Sequence, residues 1–251
     1  MSQRPIIEIQ NLVVGYDDRV VLENVDITVP AGEVLGVVGG SGCGKSTLLK
    51  AMIGLLRPMS GRVLIEGVDV HAAGEKELKA LHTRMGVLFQ SSGLISSLSL
   101  FGNVALPLRD YTACDHETIR RLVHMKLGLV DLAGMENLWP DELSGGMKKR
   151  AGLARAMALD PPVLFFDEPS GGLDPVTAAE LDQLILRINQ GMGTTIIVVT
   201  HELSSIFTIT NRVVMLDGGA RGIIAEGDPR DLRDDPPDER VRRFFRRQPR
   251  P

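Results

Sequence analysis

The feature that most constrains the fold is a glycine-rich turn that follows an apolar run and opens a helical pattern. VLGVV at 34–38 is continuously apolar, as is typical of a strand buried on both faces. GGSGCGKST follows at 39–47, and STLLKAMIGLL continues as a predicted helix that ends at Arg57-Pro58. A strand, a G-x-x-x-x-G-K-S turn and a helix in this order predict a phosphate-binding loop within an α/β core.

This loop contains the donors that phosphate binding requires. Its backbone N–H groups can surround phosphate oxygens, Lys45 can reach the outer phosphates, and the Ser46 hydroxyl can hold Mg²⁺. A dinucleotide motif is excluded, because the third glycine counted from Gly40 would fall at 45, where lysine stands. The predicted cofactor-binding residues of this segment are Gly39, Gly40, Ser41, Gly42, Cys43, Gly44, Lys45, Ser46 and Thr47.

Strand and helix patterns alternate through most of the chain. Residues 6–29 form short β-like runs, and residues 91 to about 160 have helical patterns, one of them with Asp115 as a predicted N-cap. Strands separated by helices imply a parallel sheet, so we predict an α/β core interrupted by a helical insertion. The later predicted strands are MGVLFQ (85–90), VLFFDE (163–168), TTIIVVT (194–200) and RVVMLD (212–217).

Polar side chains at the predicted strand ends are candidates for chemistry. Asp167 is placed to support Mg²⁺, and Glu168 is placed as the base that polarises an attacking water. Gln90 can sense the metal or the water, although an isolated glutamine is usually an ordinary polar residue. His201 can contact the γ-phosphate or orient the water, although a histidine at a strand end is often structural. Tyr16 either stacks on adenine or is a turn residue.

A second phosphate-seeking turn is present at LSGGMKKR, residues 143–150. Two glycines at a helix start cost helix stability, so the backbone there is expected to approach another group closely. A helix N-terminus with free N–H groups suits an anion. Ser144, Gly145 and Gly146 are therefore candidate binding residues, with a flexible loop as the alternative reading.

Charge and cysteine content narrow the class of protein. The net charge is −4, with no basic domain or stripe, so nucleic acid is not an expected partner. The two cysteines, Cys43 and Cys114, do not suggest a disulfide framework and fit a reducing compartment. We expect no signal peptide and no membrane span, because the N-terminus lacks an apolar run and the longest apolar runs are far short of about 20 residues.

Taken in order, these motifs resemble the ATPase subunit of ABC (ATP-binding cassette) transporters over about residues 6–227. The resemblance implies ATP and Mg²⁺ as cofactors and a P-loop NTPase (RecA-like) core with a small antiparallel β subdomain and a helical insertion. It implies roles for Tyr16 at adenine, for Gln90, Asp167, Glu168 and His201 in metal binding and hydrolysis, and for Asp174 in the SGGLD loop. It also implies a head-to-tail dimer, in which Ser144, Gly145 and Gly146 face the ATP of the other subunit.

Met147 narrows the resemblance, since most cassettes have glutamine there. LSGGM followed by basic residues is similar to Mce-type lipid transport systems, including the Mla (maintenance of lipid asymmetry) machinery. The expected partners are then a second copy, an integral-membrane permease, an Mce-domain protein and a small accessory regulator. The expected location is the cytoplasmic face of the inner membrane. Two alternatives stay open, the ATPase of an amino-acid or metal-ion importer and a nucleotide-controlled scaffold with little turnover.

The domain organisation expected from this resemblance is a cassette over 5–227 followed by an acidic-then-basic tail over 228–251. Within the cassette, the RecA-like core is expected at 1–90 and 160–227, and the helical subdomain at 91–159. In the tail, Val241, Phe244 and Phe245 fall on one face of a predicted short helix among arginines that include Arg250. Docking on the cassette and contact with a partner are both expected of this helix, with attraction of its arginines to an anionic membrane surface as the third reading.

Overall fold

A small antiparallel sheet is formed by strands from the first 69 residues of the chain. The computed structural model describes residues 5–248, so residues 1–4 of the predicted core and the last three residues of the predicted tail, including Arg250, lie outside the described residues. The long runs at 6–29 form a hairpin that is continued by two later strands, in the order β2-β1-β4-β5. These strands are β1 (Ile7–Tyr16), β2 (Arg19–Val29), β4 (Ser60–Ile65) and β5 (Val68–Asp69).

The second sheet is mostly parallel, as the alternation of strands and helices predicts. Its order is β10-β9-β3-β8-β7-β6, and β10 alone among these runs antiparallel to its neighbour. Every residue of the strand that precedes the phosphate loop is buried, which explains its uninterrupted apolar run. These strands are β3 (Val34–Gly39), β6 (Met85–Leu88), β7 (Val163–Asp167), β8 (Thr195–Val199), β9 (Arg212–Asp217) and β10 (Gly222–Gly227).

Helices cover the parallel sheet and form the predicted insertion. Asp115 caps the second insertion helix, where its carboxylate accepts a hydrogen bond from the Thr118 amide at 2.7 Å. The helices are α1 (Lys45–Met52), α2 (Glu75–His82), α3 (Leu100–Tyr111), α4 (His116–Leu129), α5 (Gly145–Ala156), α6 (Pro175–Met192), α7 (Leu203–Ile209), α8 (Pro229–Asp234) and α9 (Glu239–Phe245). Of these, α3, α4 and α5 lie in the insertion.

The end of α1 differs from the sequence-based expectation. The helix stops at Met52, whereas the pattern predicts an end at Arg57-Pro58. Gly54 has a φ of +80°, in the left-handed region that commonly ends helices, so the glycine ends α1 before the proline can. The predicted domain boundaries, with the helical subdomain at 91–159, stay a prediction.

The predicted tail helix forms and docks on the cassette. Val241 and Phe245 of α9 are buried in an apolar cluster that also contains Ile206 and Val213. The Phe245 ring lies 5.9 Å from the ring of Phe207, measured between centroids. Throughout residues 5–248, no helix is both long enough and apolar enough to cross a membrane.

Candidate active site

Adjacent parallel strands deliver most of the predicted site residues to one edge of the sheet. The phosphate loop follows β3, His201 comes shortly after β8, Asp167 ends β7 with Glu168 directly after it, and Gln90 comes shortly after β6. These strands are neighbours in the order β3-β8-β7-β6 and run parallel. Because the carboxyl ends of parallel strands lie at the same edge, this edge is where an α/β sheet binds its ligand.

Two glycines of the phosphate loop are required by close approach as well as by their backbone angles. Gly39 has a φ of +143°, and a Cβ there would lie 2.3 Å from the Leu216 carbonyl oxygen. Gly44 has a φ of +104° at the start of α1, and a Cβ there would lie 2.9 Å from the side chain of Leu22. Side chains at these positions would displace the loop, so the glycines fix its path.

Lys45 lies across this loop. Its ammonium donates to the carbonyl oxygens of Gly39 and Gly40 at 2.9 and 3.0 Å. An anion in the loop would compete with these neutral acceptors for the ammonium, because charge-assisted hydrogen bonds are about twice as strong as neutral ones. The arrangement is thus ready to transfer Lys45 from its own backbone to a phosphate.

The other loop residues divide between exposed and buried positions. Ser41, Gly42 and Ser46 are exposed, whereas Cys43 and Thr47 are buried. Burial raises the pKa of the Cys43 thiol, and the neighbouring Lys45 charge opposes this. The thiol is therefore kept in its protonated form, as a packing group at the base of the loop.

Glu168 and His201 form a pair at the edge of the sheet. The Nδ1 atom of His201 lies 2.7 Å from Oε1 of Glu168. The Glu168 side chain is largely buried, and its Oε2 is a buried oxygen without a hydrogen-bond partner in the described protein. An orphaned carboxylate oxygen of this kind is costly unless it serves a ligand or a reaction. It is available to accept a hydrogen bond from a water molecule.

The residues predicted to bind Mg²⁺ have chemistry that suits this ion. Burial and the adjacent charge of Glu168 raise the pKa of Asp167, while three lysines, with Lys149 the largest contributor, oppose the rise. A nearby divalent cation would stabilise the charged carboxylate that burial disfavours. The hydroxyl of Ser46 and the side-chain oxygen of Gln90 add hard oxygen donors, and Mg²⁺ binds such donors together with phosphates. The set fits the ion, and the assignment of each ligand stays a prediction.

Tyr16 lies at the end of β1, and 44% of its surface is exposed. Its hydroxyl accepts a hydrogen bond from the Lys50 ammonium at 3.4 Å. An exposed ring beside a helix that begins in the phosphate loop is able to stack on a planar base. The adenine role of Tyr16 stays a prediction.

The second glycine of the LSGGM turn, Gly146, is explained by close packing within this chain. Ser144 caps α5 and accepts a hydrogen bond from the Met147 amide at 3.3 Å. A Cβ at Gly146 would lie 2.5 Å from Thr177 Cγ2, so the start of α5 packs closely on the start of α6. Ser144 and Gly145 remain exposed, with the N-terminus of α5 accessible to an anion.

Asp174, predicted as a binding residue, caps α6 beside this turn. Its carboxylate accepts hydrogen bonds from the amides of Val176 and Thr177, both at 3.1 Å, and from the Thr177 hydroxyl at 2.5 Å. These bonds lower the pKa of Asp174, with the Thr177 hydroxyl as the largest cause. Its structural task is therefore clear, and its contact with nucleotide stays a prediction.

Two features beside the site do not follow from the motifs. An open cavity of about 1080 Å³ adjoins the phosphate loop at residues 40–43 and His201, and its other wall includes Arg243 and Phe244 of α9. The tail pattern predicts the helix but not its position beside the loop. The second feature is Lys149, a buried lysine that joins two loops of the site. A lysine within a basic run gives no sequence signal of burial.

Comparisons with known proteins give one family and a set of close relatives. The family model described as ABC transporter matches residues 22–171. The probable ribonucleotide transport ATP-binding protein mkl of Mycobacterium tuberculosis is 46% identical over 210 residues, which are 84% of this chain and 58% of that protein. The chain thus spans somewhat more than half the length of these mycobacterial relatives.

Other relatives match along more of their length. The intermembrane phospholipid transport system ATP-binding protein MlaF is 41% identical in Haemophilus influenzae, over 88% of this chain and 83% of that protein. The Escherichia coli K12 protein of the same name is 37% identical, over 96% of this chain and 88% of that protein. A dimeric ATP-binding cassette solved with ADP and Pi in a post-hydrolysis state has a TM-score of 0.80 at 30% identity, covering 88% of this chain and 98% of that one.

Proposed function

We propose that this chain, which belongs to the ABC transporter family, is the ATP-hydrolysing subunit of a membrane transporter that moves phospholipid. The predicted fold, an α/β P-loop core with an antiparallel β subdomain and a helical insertion, is confirmed by its solved neighbours. The observation that carries the proposed hydrolysis is the meeting of the Lys45 loop with the Glu168–His201 pair at one sheet edge.

The proposed chemistry uses groups that the chain already holds in place. The loop amides and Lys45 bind the phosphates, and the orphaned Oε2 of Glu168 accepts the hydrogen bond of the attacking water. His201 holds the Glu168 carboxylate through its other oxygen and so fixes its direction. Bound Mg²⁺, with Asp167, Ser46 and Gln90 as candidate ligands, supplies neutralisation of the phosphate charge.

The exposed LSGGM turn supports a site shared between two copies. Ser144 and Gly145 lie at the open N-terminus of α5, which favours negative charge. Two solved cassette structures with this fold are dimeric, one of them with ADP and Pi. In the proposed head-to-tail dimer, Ser144, Gly145 and Gly146 of each copy contact the γ-phosphate bound by the other copy's loop.

The proposed phospholipid substrate rests on the names of the MlaF relatives and on Met147 in the LSGGM turn. The proposed partners are a permease, an Mce-domain protein and a small accessory regulator. The proposed location is the cytoplasmic face of the inner membrane, where the chain binds through its permease.

A groove between β6 and the helical insertion suits a permease as partner. It has a volume of about 230 Å³ and is lined by Phe89, Pro107 and Tyr111 among others, and the two aromatic side chains are 39% and 37% exposed. In the apolar segment that follows Gln90, Leu100 is fully buried and Phe101 packs against the core. Part of that segment therefore stabilises the insertion itself, and we place the permease contact at the groove.

The ATPase proposal is tested by replacing Glu168 with glutamine. The variant keeps the size of the side chain but removes the base, so we expect hydrolysis to fall by about 10²–10⁴-fold while ATP still binds. Phosphate release and binding of a fluorescent ATP analogue measure the two properties. Glu117→Gln, on the exposed surface of α4, is the control and should hydrolyse ATP normally. Normal turnover by Glu168→Gln would remove Glu168 from this role.

The substrate and partners are tested by purifying the protein with its membrane complex from native cells. We expect a permease, an Mce-domain protein and phospholipid in the purified complex. A complex that instead contains an amino-acid, metal-ion or ribonucleotide transporter would contradict the phospholipid assignment and leave the ATPase proposal standing. Little turnover by the wild-type protein in its purified complex would favour the scaffold alternative.

A further inference from the structure

Helix α5 lies unusually close to β6 and to the loop that begins at Gln90. A Cβ added at Gly86 of β6 would lie 2.1 Å from the Ala156 carbonyl oxygen. A Cβ added at Gly152 of α5 would lie 2.5 Å from the Ser92 carbonyl oxygen. The two glycines therefore allow direct backbone contact between the helix and the strand with its following loop.

Two basic side chains of α5 hold this loop by its carbonyl groups. The Arg155 guanidinium donates to the Gly93 carbonyl oxygen, and the Lys149 ammonium donates to the Gln90 carbonyl oxygen at 2.7 Å. With the backbone contact at Ser92, the loop is attached to α5 along residues 90–93. A displacement of this loop must therefore move α5 or break these contacts.

Lys149 also reaches the neighbouring strand end. Its ammonium donates to the Glu168 carbonyl oxygen at 3.0 Å. The hydrogen-bonded ladder between β6 and β7 has its last pair at Leu88 and Phe166, and both acceptors of Lys149 lie two residues beyond that pair. The Lys149 ammonium thus joins the segments that follow β6 and β7, beyond the last hydrogen-bonded pair of the two strands.

The backbone that Lys149 holds at Glu168 is strained. Glu168 has a φ of +49°, in the left-handed region that costs a non-glycine residue free energy. Its amide donates to the Val199 carbonyl oxygen at 2.8 Å, and its carbonyl accepts from Lys149 and, within the turn, from the Gly171 amide at 3.1 Å. These bonds fix the peptide groups on either side of the Cα atom, and the bond from Lys149 is the one that comes from another element. They therefore fix the direction in which the Glu168 carboxylate leaves the backbone toward His201.

Burying this ammonium carries a cost. Lys149 is only 5% exposed, and burial lowers its pKa, while the charges of Glu168 and Asp167 oppose that effect. Its hydrogen-bond acceptors are two neutral carbonyls, which recover less energy than a carboxylate contact would. By contrast, buried Lys126 of α4 forms an ion pair with Asp160. A neutral apolar side chain would serve α5 packing better, which suggests a task for the charge and donors of Lys149.

We infer that Lys149 is a positioning residue, which sets the Glu168 carboxylate for hydrolysis and couples it to the loop that begins at Gln90. This inference rests on the proposed ATPase function. A movement of the loop, as a bound permease would impose, changes the position of the ammonium and through it the Glu168 backbone. The role belongs to the side chain of Lys149 and does not require contact with nucleotide.

The test compares Lys149→Met with Lys126→Met, which removes the other buried lysine. We expect Lys149→Met to lower kcat for ATP hydrolysis by at least about ten-fold, since small misplacements of catalytic groups are costly. The affinity for a fluorescent ATP analogue should change by less than about three-fold, since Lys149 does not reach the phosphate loop. Lys126→Met should lose thermal stability and keep its kcat. Lys149→Arg, which keeps charge and donors, should recover part of the lost activity.

Hydrogen exchange gives a readout that does not depend on activity. In Lys149→Met, the amides at 90–93 and those of residues 168, 170 and 171 should exchange faster than in the wild type, and Lys126→Met should leave both segments unchanged. A kcat within two-fold of the wild type, unchanged exchange, or an equal loss of kcat in Lys126→Met would each overturn the inference. If Lys149→Met does not fold, the same measurements are made on Lys149→Gln, because the glutamine side chain is polar but uncharged and shorter than that of lysine.

The tests distinguish a failure of the proposed ATPase function from a failure of the inference about Lys149. Failure of the wild-type protein to hydrolyse ATP would contradict the proposed function. In that case the exchange comparison would still decide whether Lys149 holds the two loops together.

Discussion

Replacing Asp182 with asparagine should stabilise the protein at neutral pH. Asp182 lies in α6 with 3% of its surface exposed, and its Oδ1 is a buried oxygen without a hydrogen-bond partner in the described protein. Burial raises the pKa of Asp182 to about 6, against the lowering effect of a hydrogen bond from Ser205. The hydroxyl of Ser205 is also 3.2 Å from that of Ser170, in the turn that follows Glu168.

The sign of the effect follows from the raised pKa. A folded-state pKa above the unfolded value means that folding favours the protonated carboxyl group. The group is therefore harmless to stability below its ordinary pKa of 3.8, and its cost grows until the pH passes about 6. The full rise corresponds to about 3 kcal/mol, since a tenfold change in proton affinity is about 1.4 kcal/mol. Between pH 5 and pH 8, the cost grows by roughly 1 kcal/mol.

Asparagine stays neutral across this range, so the stability of Asp182→Asn relative to the wild type should increase with pH. Denaturant unfolding at pH 5 and pH 8 measures the difference, and the gain should be roughly 1 kcal/mol larger at pH 8. For a chain of this size, that corresponds to about 2–4 °C in Tm. Asp110→Asn, at an exposed position in α3, controls for the loss of a negative charge. A stability difference that is the same at both pH values would refute the reasoning.

The remaining predictions concern the tail helix and the shared site. Phe245→Ala should lower stability by about 3–5 kcal/mol, as measured by denaturant unfolding, because it leaves a cavity at a buried position of α9. It should also lower the yield of dimer in size-exclusion chromatography, whereas a stability loss below about 1 kcal/mol would show that α9 docks weakly. In mixed dimers of Ser144→Arg and Lys45→Ala subunits, one site keeps an intact phosphate loop and an intact LSGGM turn while the other has both damaged. We expect one ATP per mixed dimer in equilibrium binding, and equal occupancy of both sites would contradict the trans arrangement.

The order of the elements could be predicted because the information is local. VLGVV predicts a strand buried on both faces, and β3 is buried at every position. Asp115 predicts a helix start, and its carboxylate caps α4. The phosphate loop is also local, since its lysine, serine and glycines occur within nine residues. Their meeting with Glu168 and His201 follows from the rule that parallel strands end at one edge of the sheet.

The features that could not be predicted from the sequence depend on contacts between distant parts of the chain. Lys149 looks like one member of a solvated basic run, and its burial depends on the close approach of α5 to β6 that Gly86 and Gly152 permit. The sequence predicts that α9 has an apolar face. It does not predict that this face packs near β9. Gly54 adopts a left-handed backbone conformation that ends α1 at Met52, although the helical pattern of the sequence continues to Arg57.

The two charged groups central to the proposed reaction each have a partner within this chain. Lys45 is held by the carbonyls of its own loop, and Oε1 of Glu168 is held by His201, with Oε2 left free. Phosphate binding therefore requires the exchange of one set of acceptors for Lys45 rather than the ordering of a long mobile side chain. The proposed base, Glu168, is likewise oriented before a water molecule meets its free oxygen. Such preorganisation is the means by which a polar site stabilises a transition state without reorganising during the reaction. It also explains why the backbone of Glu168 is fixed by hydrogen bonds on both sides of its Cα atom, since a freely turning carboxylate would lose this advantage.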